Sequence, residues 1–397
     1  MKLVSELERQ GHNVVILSGT PTELKSDLQP FSKTVTFNYF NIRSFFSGNY
    51  KSSSVLKKSK KYSKVRNVIK MRISNLINAF SFPDLEFFWC IEGKRKTSKV
   101  SEIINSFDGF EPDIIYASCL PISSGSLGAT FSDYYKVPLV LEFRDKWLDS
   151  PYRDVNFLRR IFEEKYEKNL LKKANAIVGV SEYLASLGLK YSIQSEVIYT
   201  GIDDIDNSKL LSNNVTFDFI DETKKIILYT GMVYPGKRDP LKLVEIFNEN
   251  SHSIADDYQL IFAGKNFDFI KSQSSSESIV FLGQIDRTLA LELQQRADIL
   301  LLLTWDNIHE EGVISGKVFE YLAAKKPILH IGYTKGEVAK LVRSSGVNFS
   351  QNTEQEDLIK GIKSLDGVYI CNQDLDKLKI TNQVAKLTGF LKCIVDD

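Results

Sequence analysis

Three segments combine residue types that could bind an anion or a sugar. The first is EEGVISGKVFEYLAAKKPIL, residues 310–329. Gly312, Ser315 and Gly316 lie in a loop that leads into an apolar, alanine-containing helix, which must stop before Pro327. Ser315 is placed to cap that helix. A helix start offers free backbone N–H groups and the positive end of the dipole to an anion, and Lys317 adds a full charge there. Glu320, one turn on, carries a carboxylate that can accept two hydrogen bonds from a ribose diol. The plainer reading is an amphipathic helix with a surface glutamate. The second segment is YTGMVYPGKRDP, residues 229–240. Its strand ends at Gly231, and the loop carries Lys237 and Arg238 before the next helix. Adjacent cations at the carboxyl end of a parallel strand suit a phosphate, although two basic residues in a loop are common. The third is LEFRDKWLDSPY, residues 141–152. Arg144 and Asp145 follow a buried-type strand there, and unlike charges at that point form either a site or a structural ion pair.

Other chemistries find little support. The histidines, His12, His252, His309 and His330, have no metal-ligand spacing, so no metal is expected. No nucleophile elbow, Walker sequence or G-x-G-x-x-G after a strand is present. The four cysteines are far apart and form no C-x-x-C pair, which fits a reducing compartment and no disulfide framework. No apolar run approaches the ~18 residues of a membrane span, and the polar, amphipathic amino end is no signal peptide.

A different signal lies between Leu28 and Pro83. Those 56 residues hold eleven Lys or Arg and no Asp or Glu, in a chain whose net charge is +1. Lys57, Lys58, Lys60, Lys61, Lys64 and Arg66 are its centre, interleaved with Tyr62, Val65, Val68 and Ile69. A basic face beside apolar residues is attracted to an anionic membrane surface, by about 1 kcal/mol per cation near the lipid. A solvated helix face is the plain alternative, and nucleic acid a third. The overall charge balance argues against a general nucleic-acid binder.

These segments need a scaffold that presents them. Short apolar runs recur at 13–19, 112–118, 137–143, 175–181, 224–231, 258–265, 278–284, 297–304 and 326–332. Each reads as a strand buried on both faces. Helical patterns at 157–174, 240–250 and 317–325 lie between them. Alternation of this kind predicts parallel sheets with helices on both faces. About nine strands suit two sheets of four to six. The polar stretch 200–223 is the expected break. One feature is out of place. Residues 1–10 read as a helix, whereas a doubly wound domain begins with a strand and a glycine loop. Without that usually central strand, two internal sheet edges lack partners. The pattern points to a natural start ahead of Met1, or to a rearranged sheet.

Taken together, these segments resemble the GT-B glycosyltransferases, specifically the large retaining family 4 and its branch in bacterial surface-polysaccharide assembly. LVSELERQGHNVVILSG resembles that family's first helix and second strand. PDIIYASCLPISSGSLGA with VPLVLEFRDKWLDS, ANAIVGVSEYLA with VIYTGID, and then ILYTGMVYPGKRDP, VFLGQIDR, ADILLLL and SGKVFEYLAAKKPIL follow in the family's order. The resemblance implies two Rossmann-like, doubly wound α/β domains facing a cleft, the first lacking its first strand. It implies an acceptor-binding domain over 1–205, a nucleotide-sugar domain over 206–372, and a helix over 373–397 returning to the first. Lys237 should meet the donor pyrophosphate with Arg238 beside it. Glu320 should hold the ribose, Ser315 and Lys317 should lie near phosphates or sugar, and the backbone at Gly283 and Gln284 should face the base. Arg144 and Asp145 would stand on the acceptor side, with Asp145 binding or polarising the acceptor.

The implied reaction moves a sugar from a nucleotide-diphosphate sugar to an acceptor hydroxyl, with retention and without a metal ion or resident cofactor. The implied acceptor is a lipid-linked saccharide at the cytoplasmic face of a membrane. Two departures from the family pattern bear on activity. Gly312 stands where the family has the first of two glutamates, with Glu311 one residue off. Met232 replaces the usual arginine after the strand-end glycine. They keep open a non-catalytic, donor-binding subunit as the rival reading; a nucleotide-sugar epimerase is disfavoured by the scarcity of histidine.

Overall fold

The computed structural model describes residues 2–19, 33–37, 39, 82–150, 153, 155–202, 217–249, 254–368, 370 and 375–396. The basic centre, Lys57 to Arg66, lies outside the described residues. The chain divides into two compact units. The first comprises Met1–Val180, Leu184–Val197 and Lys386–Asp397; the second comprises Ser181–Tyr183 and Ile198–Ala385.

The second unit is built on a six-stranded sheet. Its strands are β7 (Lys225–Met232), β8 (Tyr258–Lys265), β9 (Ile279–Gly283), β10 (Ile299–Leu303), β11 (Ile328–Ile331) and β12 (Gly346–Phe349), in the order β12-β11-β10-β7-β8-β9 and all parallel. Both faces are covered, so alternate residues of β7 enter different cores. Ile227 and Tyr229 pack with Leu243 and Phe247 of one helix (Leu241–Asn248) and with Leu358 and Ile362 of another (Gln355–Ser364). Ile226 and Leu228 pack with Leu293 of a helix at Arg287–Arg296 and with Val318 and Leu322 of one at Gly316–Ala324. Burial on both faces is why these strands read as continuous apolar runs.

The first unit holds two separate sheets. One pairs β1 (Ile16–Gly19) with β2 (Thr34–Phe37); the other runs β3 (Ile115–Cys119), β4 (Leu139–Phe143), β5 (Ala176–Gly179), β6 (Gln194–Val197) in that order. All five residues of β4 are buried. Numbering the helices of eight or more residues along the chain, α1 is Lys2–Arg9, α2 Phe87–Arg95, α3 Thr97–Asn105, α4 Ser123–Tyr135 and α5 Phe157–Leu171; in the second unit α6 is Leu241–Asn248, α7 Arg287–Arg296, α8 Gly316–Ala324 and α9 Gln355–Ser364; α10 is Ile380–Asp396. Val35 and Phe37 of β2 join Trp89, Val100, Ile104, Leu127 and Phe131 from α2, α3 and α4 in one core, with Phe37 and Trp89 stacked at 5.9 Å. Lys386 of α10 donates to the Val197 carbonyl at 2.9 Å and pairs with Glu196 at 2.8 Å.

Three strands, β2, β6 and β12, were not among the nine sequence runs. Each is the outer strand of its sheet. An outer strand need not be apolar on both faces, and QSEV and GVNF are not.

Candidate functional site

Because β7 to β12 are parallel, their carboxyl ends lie along one edge of the second sheet. That edge opens at glycines in left-handed or otherwise positive-φ backbone: Gly231 at φ 140°, Gly264 at 148°, Gly283 at 70° and Gly332 at 151°. Two of them are required by close approach. A Cβ on Gly264 would overlap the Gly231 carbonyl, and a Cβ on Gly231 would overlap the Lys317 ammonium. The predicted residues Gly231 and Lys317, 86 positions apart, therefore meet.

Lys317 enters from the start of α8. Ser315 has extended backbone (φ −73°, ψ 137°), and its hydroxyl accepts from the Lys317 N–H at 3.4 Å, which makes it the N-cap. The other end stops at Lys325, in left-handed conformation before Pro327. The ammonium lies 5.0 Å from the centre of the Tyr229 ring. Burial lowers its pKa to about 8; the nearby Arg238 cation pushes the same way, and Glu320 opposes it. Tyr229 is itself fixed, donating to the Met232 carbonyl at 2.6 Å. At the neighbouring position the Thr230 N–H donates to the Tyr321 hydroxyl at 3.0 Å, which ties β7 to α8.

The loop after β7 brings up the other two cations. Arg238 pairs with Glu310 at 3.5 Å and lies 5.8 Å from the Tyr234 ring centre. Lys237 sits 4.4 Å from the centre of the Trp305 ring, and its carbonyl accepts from the Gln351 side chain. Glu320, partly exposed, pairs with Arg287 at 3.0 Å. Gly283 ends β9 at the same sheet edge, with open space where a Cβ would stand, and Gln284 after it is exposed.

Sequence reasoning missed Glu310, Arg287 and Trp305. Glu310 is 4% exposed, and its carboxylate faces a guanidinium from a loop 72 residues earlier. The glutamate pair at 310–311 offered the signal, but spacing alone gave no means of choosing between the two; Glu311 is exposed. Gly312 has φ 76°, and a Cβ there would overlap the Cβ of Tyr183. With this backbone no side chain fits at 312, which accounts physically for the missing glutamate. His330, fully buried, serves structure: its Nδ1–H donates to Asn348 Oδ1 at 2.8 Å and its Nε2 accepts from the Thr304 hydroxyl at 2.9 Å. Among the described residues, no cluster of His, Cys, Asp or Glu could hold a metal ion.

In the first unit, Arg144 and Asp145 follow β4 and are both exposed. The ion pair of Arg144 is to Glu142, at 3.9 Å, and Asp145 accepts from the Lys146 N–H at 3.0 Å. Beside them the buried Tyr116 hydroxyl is raised well above its ordinary pKa, first by burial and then by Glu142. Asp84 organises this end of the unit. Its carboxylate accepts from the Ser123 N–H at 2.7 Å, the Ser123 hydroxyl at 2.9 Å and the Glu86 N–H at 2.9 Å, and so holds the start of α4.

The second unit thus carries cations, a capped helix start and closely packed backbone at one sheet edge, the arrangement that binds phosphate at the carboxyl end of a doubly wound sheet. Solved structures share the architecture. A glycosyltransferase from Rickettsia africae ESF-5 is 14% identical with a TM-score of 0.56, over 100% of this chain and 94% of that one. The α,α-trehalose 6-phosphate synthase of Burkholderia multivorans is 7% identical with a TM-score of 0.52, over 77% and 75%. S. aureus MnaA, solved with UDP, is 14% identical over 100% and 92%, at the lower TM-score of 0.46. No curated protein sequence matches the chain. Residues 1–205, more than half of the chain, match the model of Glycosyltransferase Family 4. The chain belongs to that family and has the fold of the GT-B glycosyltransferases.

Proposed function

We propose that the protein transfers a sugar from a nucleotide-diphosphate sugar to a saccharide hydroxyl, with retention, and that the second unit holds the donor. The observation that carries this reading is the Lys317 ammonium lying directly over Gly231 at the capped start of α8. A glycine there lets a phosphate approach both the charge and the free N–H groups. The leaving group is a diphosphate, and the transition state has the oxocarbenium character of glycosyl transfer. Catalysis then consists mainly of stabilising charge that develops on the departing phosphate, by groups already in place. Lys317, Arg238, Lys237 and the α8 dipole are those groups. Glu320 receives the ribose hydroxyls beside Arg287. Asp145 and Arg144 orient the acceptor from the first unit.

The test is nucleotide release from a panel of UDP-, GDP- and ADP-sugars. Release with one base and its loss in Glu320→Ala and Lys237→Ala would support the assignment. Release unchanged in both variants would refute it. One observation favours a second reading, a non-catalytic donor-binding subunit: Gly312 against Tyr183 leaves no room for a glutamate. Binding of a donor with no release, in the presence of acceptor extracts, would select that reading.

The acceptor we propose is a lipid-linked saccharide of bacterial surface-polysaccharide assembly, met at the inner face of the membrane. The eleven cations between Leu28 and Pro83 support this. No helix among the described residues is long and apolar enough to cross a membrane. Replacing Lys57, Lys58, Lys60 and Lys61 with Ser should lower flotation with anionic vesicles at low salt. Unchanged flotation would contradict the membrane reading and leave the donor reading standing.

A further inference from the structure

α5 begins FLRRIFEE, and the polarity of this end is turned inside out. Phe157, Leu158, Ile161 and Phe162 are 76%, 68%, 45% and 62% exposed. The charged residues between them serve the protein's own structure. Glu163 is fully buried and accepts from Arg153 at 2.6 Å and from Arg159 at 2.8 Å. Arg153 also donates to the Trp147 carbonyl at 2.8 Å, and Arg160 donates to the Leu148 carbonyl at 3.2 Å and to Asp149 at 2.6 Å. A helix end that commits its charges to its own support and leaves two phenylalanines outside presents an apolar surface to something else.

At 3.6 residues per turn, the same face continues through Lys165, Lys168 and Lys172, all exposed. No Asp or Glu stands on it. Glu164, at one margin, pairs with Arg160 at 3.2 Å, and Lys173, at the other, pairs with Asp133 at 3.6 Å. The face is thus apolar at the amino end of α5 and cationic at the carboxyl end.

Size and charge choose the occupant. With about 200 Å² for a fully exposed large side chain, the four apolar residues offer roughly 500 Å². A stable protein interface takes ~800 Å² from each partner, and a second copy brings only more lysine and no acid to this face. A partner that wraps a helix in a groove needs more than one side of it. The inner side of α5 is taken, since Glu163, Glu167, Leu170 and Leu171 are buried. A bilayer needs one face only. It takes apolar side chains into its interfacial layer and supplies phosphates for the lysines.

We propose that the outer face of α5 docks on an anionic bilayer. Phe157, Leu158, Ile161 and Phe162 enter the interfacial layer, and Lys165, Lys168 and Lys172 lie over the lipid phosphates. Trp147, Leu148 and Asp149, which Arg153 and Arg160 hold, come three to five positions after Arg144. The docked helix therefore keeps Arg144 and Asp145 close to the membrane surface. That consequence rests on the lipid-linked acceptor proposed above; the docking itself stands on α5 alone.

The test measures flotation of the full chain with vesicles of phosphatidylglycerol and phosphatidylcholine. It compares the wild type, the pair Phe157→Ser with Phe162→Ser, the triple Lys165→Ser, Lys168→Ser and Lys172→Ser, and the four-lysine variant of the basic stretch. The changed α5 side chains are exposed, so thermal unfolding should stay at the wild-type temperature. The phenylalanine pair should weaken vesicle binding tenfold or more at low and at high salt, and the lysine triple at low salt only. Phe162→Trp should be quenched by lipids brominated on the acyl chain. Wild-type binding in the phenylalanine pair, or a Phe162→Trp that escapes quenching, would overturn the proposal. Binding lost only in the basic-stretch variant would overturn it too and leave the membrane reading above standing. A wild type that ignores vesicles would overturn both, and a dimer in sedimentation that the phenylalanine pair disperses would then assign the face to a second copy. None of these outcomes depends on the donor site.

Discussion

At the scale of single residues, the donor assignment turns on Gly231. Its φ of 140° lies where side chains are rarely tolerated, and the space a Cβ would take is held by the Lys317 ammonium. Gly231→Ala should cost about 1–3 kcal/mol from the backbone alone. It should also displace the ammonium, the flexible partner in the clash. Chemical denaturation reads the first effect and donor titration the second. A variant with wild-type stability and wild-type donor affinity would show that the contact does not matter. Neither half of this contact declared itself alone. The sequence marked Gly231 as a strand end and Lys317 as a charge at a helix start. Their meeting depends on β7 and α8 being neighbours across 86 residues. Glu310 was hidden for the same reason, since its partner Arg238 comes from another loop.

At the scale of elements, the strand ends stand on buried polar joints. His330 of β11 bridges Thr304 after β10 and Asn348 of β12, with its Nδ1 as donor and its Nε2 as acceptor. Burial lowers its pKa to about 4, well below the ordinary 6.5. The folded state thus binds this proton less readily than the unfolded state. Its share of stability is complete above pH 6.5 and is lost as pH falls through 4. His330→Gln should lower stability at pH 7, because the three-residue bridge is broken. It should also flatten the fall in stability between pH 6.5 and 4. An acid profile as steep as that of the wild type would assign the loss to other groups. The elements themselves were largely legible. Runs such as ILLLL and IILYTG are buried on both faces and can be little else. The strands that escaped notice, β2, β6 and β12, are outer strands in which half-buried or exposed residues predominate, so they carry no continuous apolar signal.

At the scale of the whole molecule, order along the chain carried more than any one motif. Alternating strands and helices predicted parallel α/β sheets, two of four to six strands, where the described residues form three, of two, four and six strands; the family match over residues 1–205 agrees with the resemblance read from the motifs. The division of the first unit into a two-stranded and a four-stranded sheet could be located only in three dimensions. The partners of Glu320 and Arg144 were equally beyond reach, because Arg287 and Glu142 are ordinary charges until the fold brings them close.

The central claim is that the Lys317 ammonium receives the donor diphosphate. It is tested most directly by titration calorimetry of UDP, GDP and ADP between pH 7 and 9.5, on the wild type, Lys317→Met and Lys317→Arg. The free ammonium, with a pKa near 8, is charged below that pH and neutral above it, and an anion binds the charged form. At least one nucleotide should bind the wild type at pH 7, with affinity falling up to tenfold per pH unit above about 8. Lys317→Met should bind tenfold or more weakly at pH 7, and Lys317→Arg should hold its affinity across the range. Equal affinity in Lys317→Met, or a wild-type affinity that does not change with pH, would contradict the claim.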